Sequence, residues 1–441
     1  MKNWKQIPHS SQEVMFQDVE VWTDEGVRSH CDVVLREGVL VAVQPSAKPN
    51  TRAHRTVLMP AAVDTQVHMR TPGQWTKETP ETALHAALKG GVGALLTMPN
   101  TKPVLDSVES LELAKSQVAA AEAQFGVQVL YSVAGTLGQQ GREVAPLESL
   151  IQAGAVAVTD DGRGVEHDEI QLEIFKRLEP SGAPFLQHAE TPGAAGPLAP
   201  GPIPQKLGFK PYDARHETDM VERDLKLLEQ TPGTRYHLLH TSSRHSLPLL
   251  IAAKGKGLKV TAEVSPHHLF FSSEDIDEAN TSFKMNPPIR SIEDREALID
   301  GLRDGVIDWV ATDHAPHEPE TKRKPFPEAS FGTLGLETMV PVVLDLVHRK
   351  RLSPERAVQV LSTNPAKFLG IADEYGHLSV GKPVRAVLVE PDASWTVRAD
   401  EHVSLSKNTC FDGSILSGRV VALVTPTGIW AQPVTASELY L

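Results

Sequence analysis

Through the middle of this 441-residue chain, apolar segments alternate with helical ones, and five of those segments stop at a side chain able to bind a metal ion. Residues 56–63 run into His68, 155–159 into Asp160-Asp161, 183–187 into His188, 236–239 into His240, and 307–312 into Asp313. Three more apolar runs, 91–98, 127–134 and 258–264, complete a set of eight. Helical patterns over 80–89, 107–125, 147–153, 168–178, 215–229, 246–254 and 291–302 separate them, and 334–350 follows the last. Eight strands with interleaved helices predict an α/β fold, a parallel (β/α)8 barrel of the TIM type, whose active site lies at the C-terminal ends of the strands. The candidate ligands fall at those ends. An open doubly wound sheet would require a Gly-rich phosphate turn after its first strand, and the sequence has none.

The two ends of the chain have a different texture. Short β-like runs at 14–22, 32–36 and 39–43 precede the barrel segments, and others at 385–389, 420–425 and 428–431 follow helical stretches at 354–361 and 366–369. This predicts one small β-rich domain built from 1–57 and 372–441 around a barrel of 58–371. Residues 191–212, rich in Gly, Pro and Ala, are expected to form an exposed loop beside the His188 strand.

A formal charge of −13 argues against nonspecific binding to nucleic acid and against a basic membrane patch. No apolar run reaches membrane-spanning length, and the polar start of the chain lacks a signal-peptide core. Two distant cysteines, Cys31 and Cys410, have no metal-binding spacing and fit buried small residues. A reducing, cytoplasmic setting is the expectation.

The segment Asp64-Thr65-Gln66-Val67-His68-Met69-Arg70 carries the sharpest local signal. Alternate residues of a strand share a face, so positions 66 and 68 point the same way. Two histidines there would clamp one ion, and this chain offers a glutamine and a histidine. A carboxamide oxygen is a poorer partner for zinc than imidazole.

With that segment, several motifs run in order along essentially the whole chain: His68-Met69-Arg70-Thr71-Pro72-Gly73, Met98-Pro99-Asn100-Thr101-Lys102-Pro103, Thr159-Asp160-Asp161-Gly162, Glu263-Val264-Ser265-Pro266-His267-His268, Lys284-Met285-Asn286-Pro287-Pro288 and Ala311-Thr312-Asp313-His314-Ala315-Pro316-His317. Gly335-Leu336-Glu337-Thr338 and Lys407-Asn408-Thr409 belong with them. In these motifs the chain resembles the class I bacterial dihydroorotases of the amidohydrolase superfamily. The resemblance implies reversible cyclisation of N-carbamoyl-L-aspartate to dihydroorotate in pyrimidine synthesis, with one or two Zn2+ ions per subunit. By the same resemblance, Asp313 is a metal ligand and the acid–base group. His188 and His240 would bind the second metal position and His68 the first, with Asp161 between them where many relatives place a carboxylated lysine. Arg70, Asn100 and His317 would hold the substrate carboxylate, and Asn286 with Phe331 and Gly332 the ring.

Plainer roles compete for some of these residues. Asn100 suits a turn, Arg70 a surface ion pair, and Asp160 a cap or a solvated carboxylate. His237, His267, His268 and His314 are expected to be structural or to orient ligands. The resemblance places histidine at position 66, so Gln66 is not assigned as a ligand. Three functions stay open: a working dihydroorotase, an allantoinase- or hydantoinase-like enzyme, and a non-catalytic partner of aspartate transcarbamoylase. Against the second stand Arg70, Asn100 and the absence of a lysine from residues 155–159. A homo-oligomer is open as well.

Overall fold

The computed structural model describes residues 4–432, apart from 10, 12, 48–54, 192, 194, 195 and 209. Eight parallel strands form one sheet in strict chain order: β1 (Ala62–Val67), β2 (Val92–Thr97), β3 (Gln128–Val133), β4 (Ala157–Thr159), β5 (Phe185–Gln187), β6 (Tyr236–Leu238), β7 (Val260–Val264) and β8 (Trp309–Val310). The ring closes just past β8, where the His68 N–H donates to the His314 carbonyl at 2.9 Å. Asp64, buried in β1, sews the same seam by accepting from the Thr312 N–H at 3.0 Å and the Thr312 hydroxyl at 2.6 Å. Barrel strands and helices share one continuous apolar core.

Serine caps open two of the long helices between the strands. Ser107 caps Val108–Phe125 and Ser291 caps Ile292–Asp304, each hydroxyl accepting an N–H of the first turn. The helix after β8 starts later than its apolar pattern suggests, at Met339 rather than 334. The Leu334 N–H is taken by the Asn408 carbonyl, and the Gly335 and Leu336 N–H groups point at His314 Nδ1, so this stretch is spent on loop contacts. Within 191–212, where some residues lie outside those described, Pro202–Leu207 forms a short helix.

Both chain ends build a second eight-stranded sheet, in the order Lys5–Ile7, Gly428–Ala431, Ile415–Thr425, Ala386–Thr396, Val57–Pro60, Val14–Trp22, Val27–Arg36 and Val39–Pro45. The run that leads to His68 therefore divides at Ala61: Val57–Pro60 pairs in this sheet and Ala62–Val67 in the barrel. Phe16, Val33, Leu58, Leu388 and Val421 anchor a separate apolar cluster on this sheet. No helix among the described residues is long and apolar enough to cross a membrane. Cys31 and Cys410 are both buried and unbridged.

Candidate active site

Strand ends deliver the side chains. His68 follows β1, Asp161 follows β4 by two residues, His188 follows β5, His240 follows β6 by two, and Asp313 follows β8 by three. Arg70, His240 and Asp313 have positive φ values of 62°, 28° and 47°. Left-handed backbone is costly for such side chains and persists where surrounding structure fixes it, a pattern common at functional sites.

Asp161, His188 and His240 are the one group of three among the described residues whose ligand atoms all lie within 4.8 Å of one another. His188 Nδ1 is 2.8 Å from His240 Nε2 and 3.4 Å from Asp161 Oδ1, and His240 Nε2 is 3.5 Å from Asp161 Oδ1. Ligands about 2.0–2.1 Å from a tetrahedral ion stand roughly 3.3 Å apart, so this buried triangle needs little adjustment to hold one. At 2.8 Å one of the two imidazole nitrogens can donate to the other, and with both lone pairs turned inward the pair instead offers two ligand atoms to a cation. The donor set of two imidazoles and a carboxylate fits a divalent metal.

His68 stands beside the triangle, its Nε2 3.1 Å from both Asp161 Oδ2 and Asp313 Oδ1. Its Nδ1–H donates to Asn100 Oδ1 at 2.9 Å, which aims Nε2 at the carboxylates. Burial alone would depress the imidazole, but hydrogen bonds to Asp161 and Asp313 overcome it and hold the pKa up at about 9. Burial would likewise raise Asp161, yet His188, His240 and His68 hold it well below the usual carboxylate range. Gln66 shares this face, as strand alternation requires, and its Nε2 donates to Asp161 Oδ1 at 3.2 Å. The Gln66 carboxamide oxygen is buried without a hydrogen-bond partner.

Arg70 is buried, not a surface residue, and donates from Nε to the Pro316 carbonyl at 3.2 Å and from Nη2 to His317 Nε2 at 3.3 Å. Burial lowers its pKa to about 10, so the guanidinium remains charged near neutrality. Burial and the Arg70 charge push His317 down to about 2, which leaves it a neutral acceptor. A cavity of about 380 Å³ is lined by His68, Arg70, Asn100, Asp161, His188, His240, Asn286, Asp313, His317, Phe331 and Gly332, which includes every site residue expected from the sequence. Its size suits a small ring with a charged substituent.

Other residues shape the cavity and the structure behind it. Asn408 donates to the carbonyls of Ala315 and Gly332 at 3.0 and 3.1 Å and accepts from the His317 N–H at 3.1 Å, joining both sides of the rim. Gly332, at φ 125°, lies so close to Ala315 that a Cβ there would sit 2.6 Å from the alanine methyl. Lys322 Nζ donates to the carbonyls of Ser330 and Gly332 at 2.8 and 3.0 Å. Glu190 accepts from His188 Nε2 at 3.1 Å and from Asn286 Nδ2 at 2.7 Å. Asp160 is neither a cap nor solvated: it is buried and accepts from Gly135 and Thr136 N–H at 2.8 and 3.1 Å. His237 stacks on Trp309 with ring centroids 4.5 Å apart, and His314 serves the barrel seam and the 335–336 turn, both structural positions.

Residues 57–421 match the amidohydrolase family. The chain belongs to that family. It is 35% identical to a dihydroorotase of Desulforapulum autotrophicum over 92% of this chain and 96% of that one. It is also 35% identical to a dihydroorotase of Halalkalibacterium halodurans over 95% and 98%, and 38% identical to one of a Wolbachia strain over 83% and 82%. Within the amidohydrolases, the chain belongs with the dihydroorotases. Among solved structures it shares its fold with the L-hydantoinase of Arthrobacter aurescens, at a TM-score of 0.82, 24% identity and coverage of 97% of this chain and 96% of that one. A D-hydantoinase superposes with a TM-score of 0.80 at 17% identity over 95% of each chain.

Proposed function

We propose that the chain is a working dihydroorotase, interconverting dihydroorotate and N-carbamoyl-L-aspartate at the cavity above the barrel, with zinc as its metal. The observation that carries this reading is the buried Asp161–His188–His240 triangle opening on the same cavity as the buried cation Arg70. A divalent ion held by the triangle supplies Lewis acidity that lowers the pKa of water and polarises a carbonyl. His68 would extend the ligand set toward Asp313.

In the hydrolytic direction a water oxygen bonds to the ring carbonyl carbon and the ring C–N bond breaks. Asp313 takes the proton from the water and returns it to the departing amide nitrogen, so one carboxylate serves as base and then as acid. Its position 3.1 Å from His68 Nε2 keeps it at the metal side of the cavity. Arg70 offers a charge-assisted fork to the substrate carboxylate, with Asn100 and His317 beside it. Asn286 and the 331–332 backbone, which line the cavity, contact the ring. A hydantoin ring lacks the carboxylate that Arg70 is placed to meet, which favours dihydroorotate over hydantoinase substrates.

Gln66 supports a second reading, a retired site in a non-catalytic partner of aspartate transcarbamoylase. Metal content and dihydroorotate hydrolysis, measured on one purified sample, separate the two. About one or two zinc ions per chain with turnover supports the enzyme, and a metal-free, inactive protein supports the partner.

A further inference from the structure

We infer that Glu190 is a positioning residue that fixes His188 in the tautomer able to bind metal, with Asn286 as the brace that holds Glu190 in place. This rests on the metal reading of the Asp161–His188–His240 triangle.

His188 has two ring nitrogens with opposite surroundings. Nδ1 faces His240 Nε2 at 2.8 Å and Asp161 Oδ1 at 3.4 Å, and Nε2 faces Glu190 Oε2 at 3.1 Å and the Asn286 Nδ2 amide at 3.3 Å. A neutral imidazole has one N–H and one lone pair, and the hydrogen bond made by one nitrogen decides what the other presents. With the proton on Nε2 and donated to Glu190, the Nδ1 lone pair points into the triangle. Without that acceptor, the Asn286 amide N–H beside Nε2 favours the tautomer with its proton on Nδ1, which would aim an N–H at the metal position. A carboxylate on the outer nitrogen also raises the basicity of the ligating one.

Glu190 is built into place at both ends. Asn286, from the segment between β7 and β8, donates from Nδ2 to the same Oε2 at 2.7 Å. The backbone behind it packs against Gly164, where a Cβ would stand 2.7 Å from the Glu190 carbonyl oxygen, so that wall admits only glycine without movement. The Thr191 N–H is tied to the His216 carbonyl at 2.8 Å, which fixes the next residue as well. A carboxylate reached from two barrel loops, on the outer nitrogen of a triangle histidine, is more than a rim charge. Asn286 thereby acquires a task besides contact with substrate.

The test compares zinc affinity, by competition with a chromophoric chelator, for wild type, Glu190→Met and Glu190→Gln, alongside the unfolding temperature of each metal-free protein. Methionine keeps the length of the side chain but offers only a weak sulfur acceptor, and glutamine keeps an acceptor oxygen. We expect Glu190→Met to bind zinc about 10- to 100-fold more weakly, Glu190→Gln within about fivefold of wild type, and the metal-free proteins to melt alike. Equal affinity for all three, or equal loss in both variants, overturns the inference while leaving the metal reading intact. A wild type that binds no zinc overturns that reading, and the inference with it.

Discussion

Gln66 Nε2 donates to Asp161 Oδ1 across 3.2 Å, so the residue that interrupts the paired-histidine pattern is hydrogen-bonded to the carboxylate at the centre of the site. The same oxygen is 3.4 Å from His188 Nδ1 and 3.5 Å from His240 Nε2. Gln66 therefore supports one corner of the triangle in place of adding a ligand elsewhere. On the proposed metal reading this arrangement favours an ion at His188 and His240 over one at His68.

Asp313 should be indispensable to turnover. It lies 3.1 Å from His68 Nε2, and in the proposed reaction it carries the proton between water and the leaving nitrogen. Asp313→Ala is expected to lower the rate of dihydroorotate hydrolysis by at least about a thousandfold while the protein stays folded. A rate within a few-fold of wild type would remove Asp313 from the chemistry.

Arg70 should act on binding more than on chemistry. In the proposed reaction its guanidinium meets a carboxylate present in substrate and transition state alike, so losing it should raise KM and spare kcat. A charge-assisted hydrogen bond contributes about 1.5–3 kcal/mol, which corresponds to roughly 10- to 150-fold in KM for Arg70→Met. Hydrolysis of a ring without the carboxylate should change far less. Equal losses on both rings would mark Arg70 as structural.

The barrel and its five chemistry-bearing strand ends were legible because buried parallel strands are short apolar runs, and the site side chains follow them within three residues. What stayed hidden depends on contacts between distant segments. Asn408 is visible as part of a motif, yet its task is set by Ala315, Gly332 and His317, some 76 to 93 positions away. The strand Lys5–Ile7 has three residues and no periodicity to display, and it forms by pairing with Gly428–Ala431. Asp160 and Asp161 are neighbours in a strand-to-loop turn, so they face opposite partners. Nothing local says that the first ties down Gly135 and Thr136 while the second meets three histidines.

Asp64 provides a pH test of the barrel seam. Burial, opposed by hydrogen bonds from Thr312 and Gln66, raises its folded-state pKa to about 7, against an unfolded value near 3.9. The folded state thus binds the proton more tightly, and that stabilisation is full below about pH 4 and lost as pH rises through 7. Asp64→Asn does not titrate, can accept the two backbone N–H groups, and can donate to the Thr312 hydroxyl. The stability of metal-free wild type relative to this variant should fall between pH 4 and 7.5, by an amount on the order of 4 kcal/mol. Urea unfolding of both proteins at several pH values measures it, and parallel profiles would show that Asp64 does not titrate in this range.

Gln66→His addresses how many ions the site holds. Imidazole binds zinc better than a carboxamide does, and the new side chain would share the strand face of His68, beside Asp161 and near Asp313. If the native enzyme works with one ion at Asp161, His188 and His240, the substitution should raise zinc content from about one toward two per chain and alter turnover only modestly. It also removes the amide donor to Asp161, so the ion at Asp161, His188 and His240 should be released somewhat more readily to a chelator. If the native protein is a retired enzyme, the same change should instead create dihydroorotate hydrolysis where there was none. Metal content and hydrolysis, measured for both proteins under one zinc supply, distinguish these outcomes. An unchanged zinc count of one in the variant would show that position 66 is not what limits an ion beside His68.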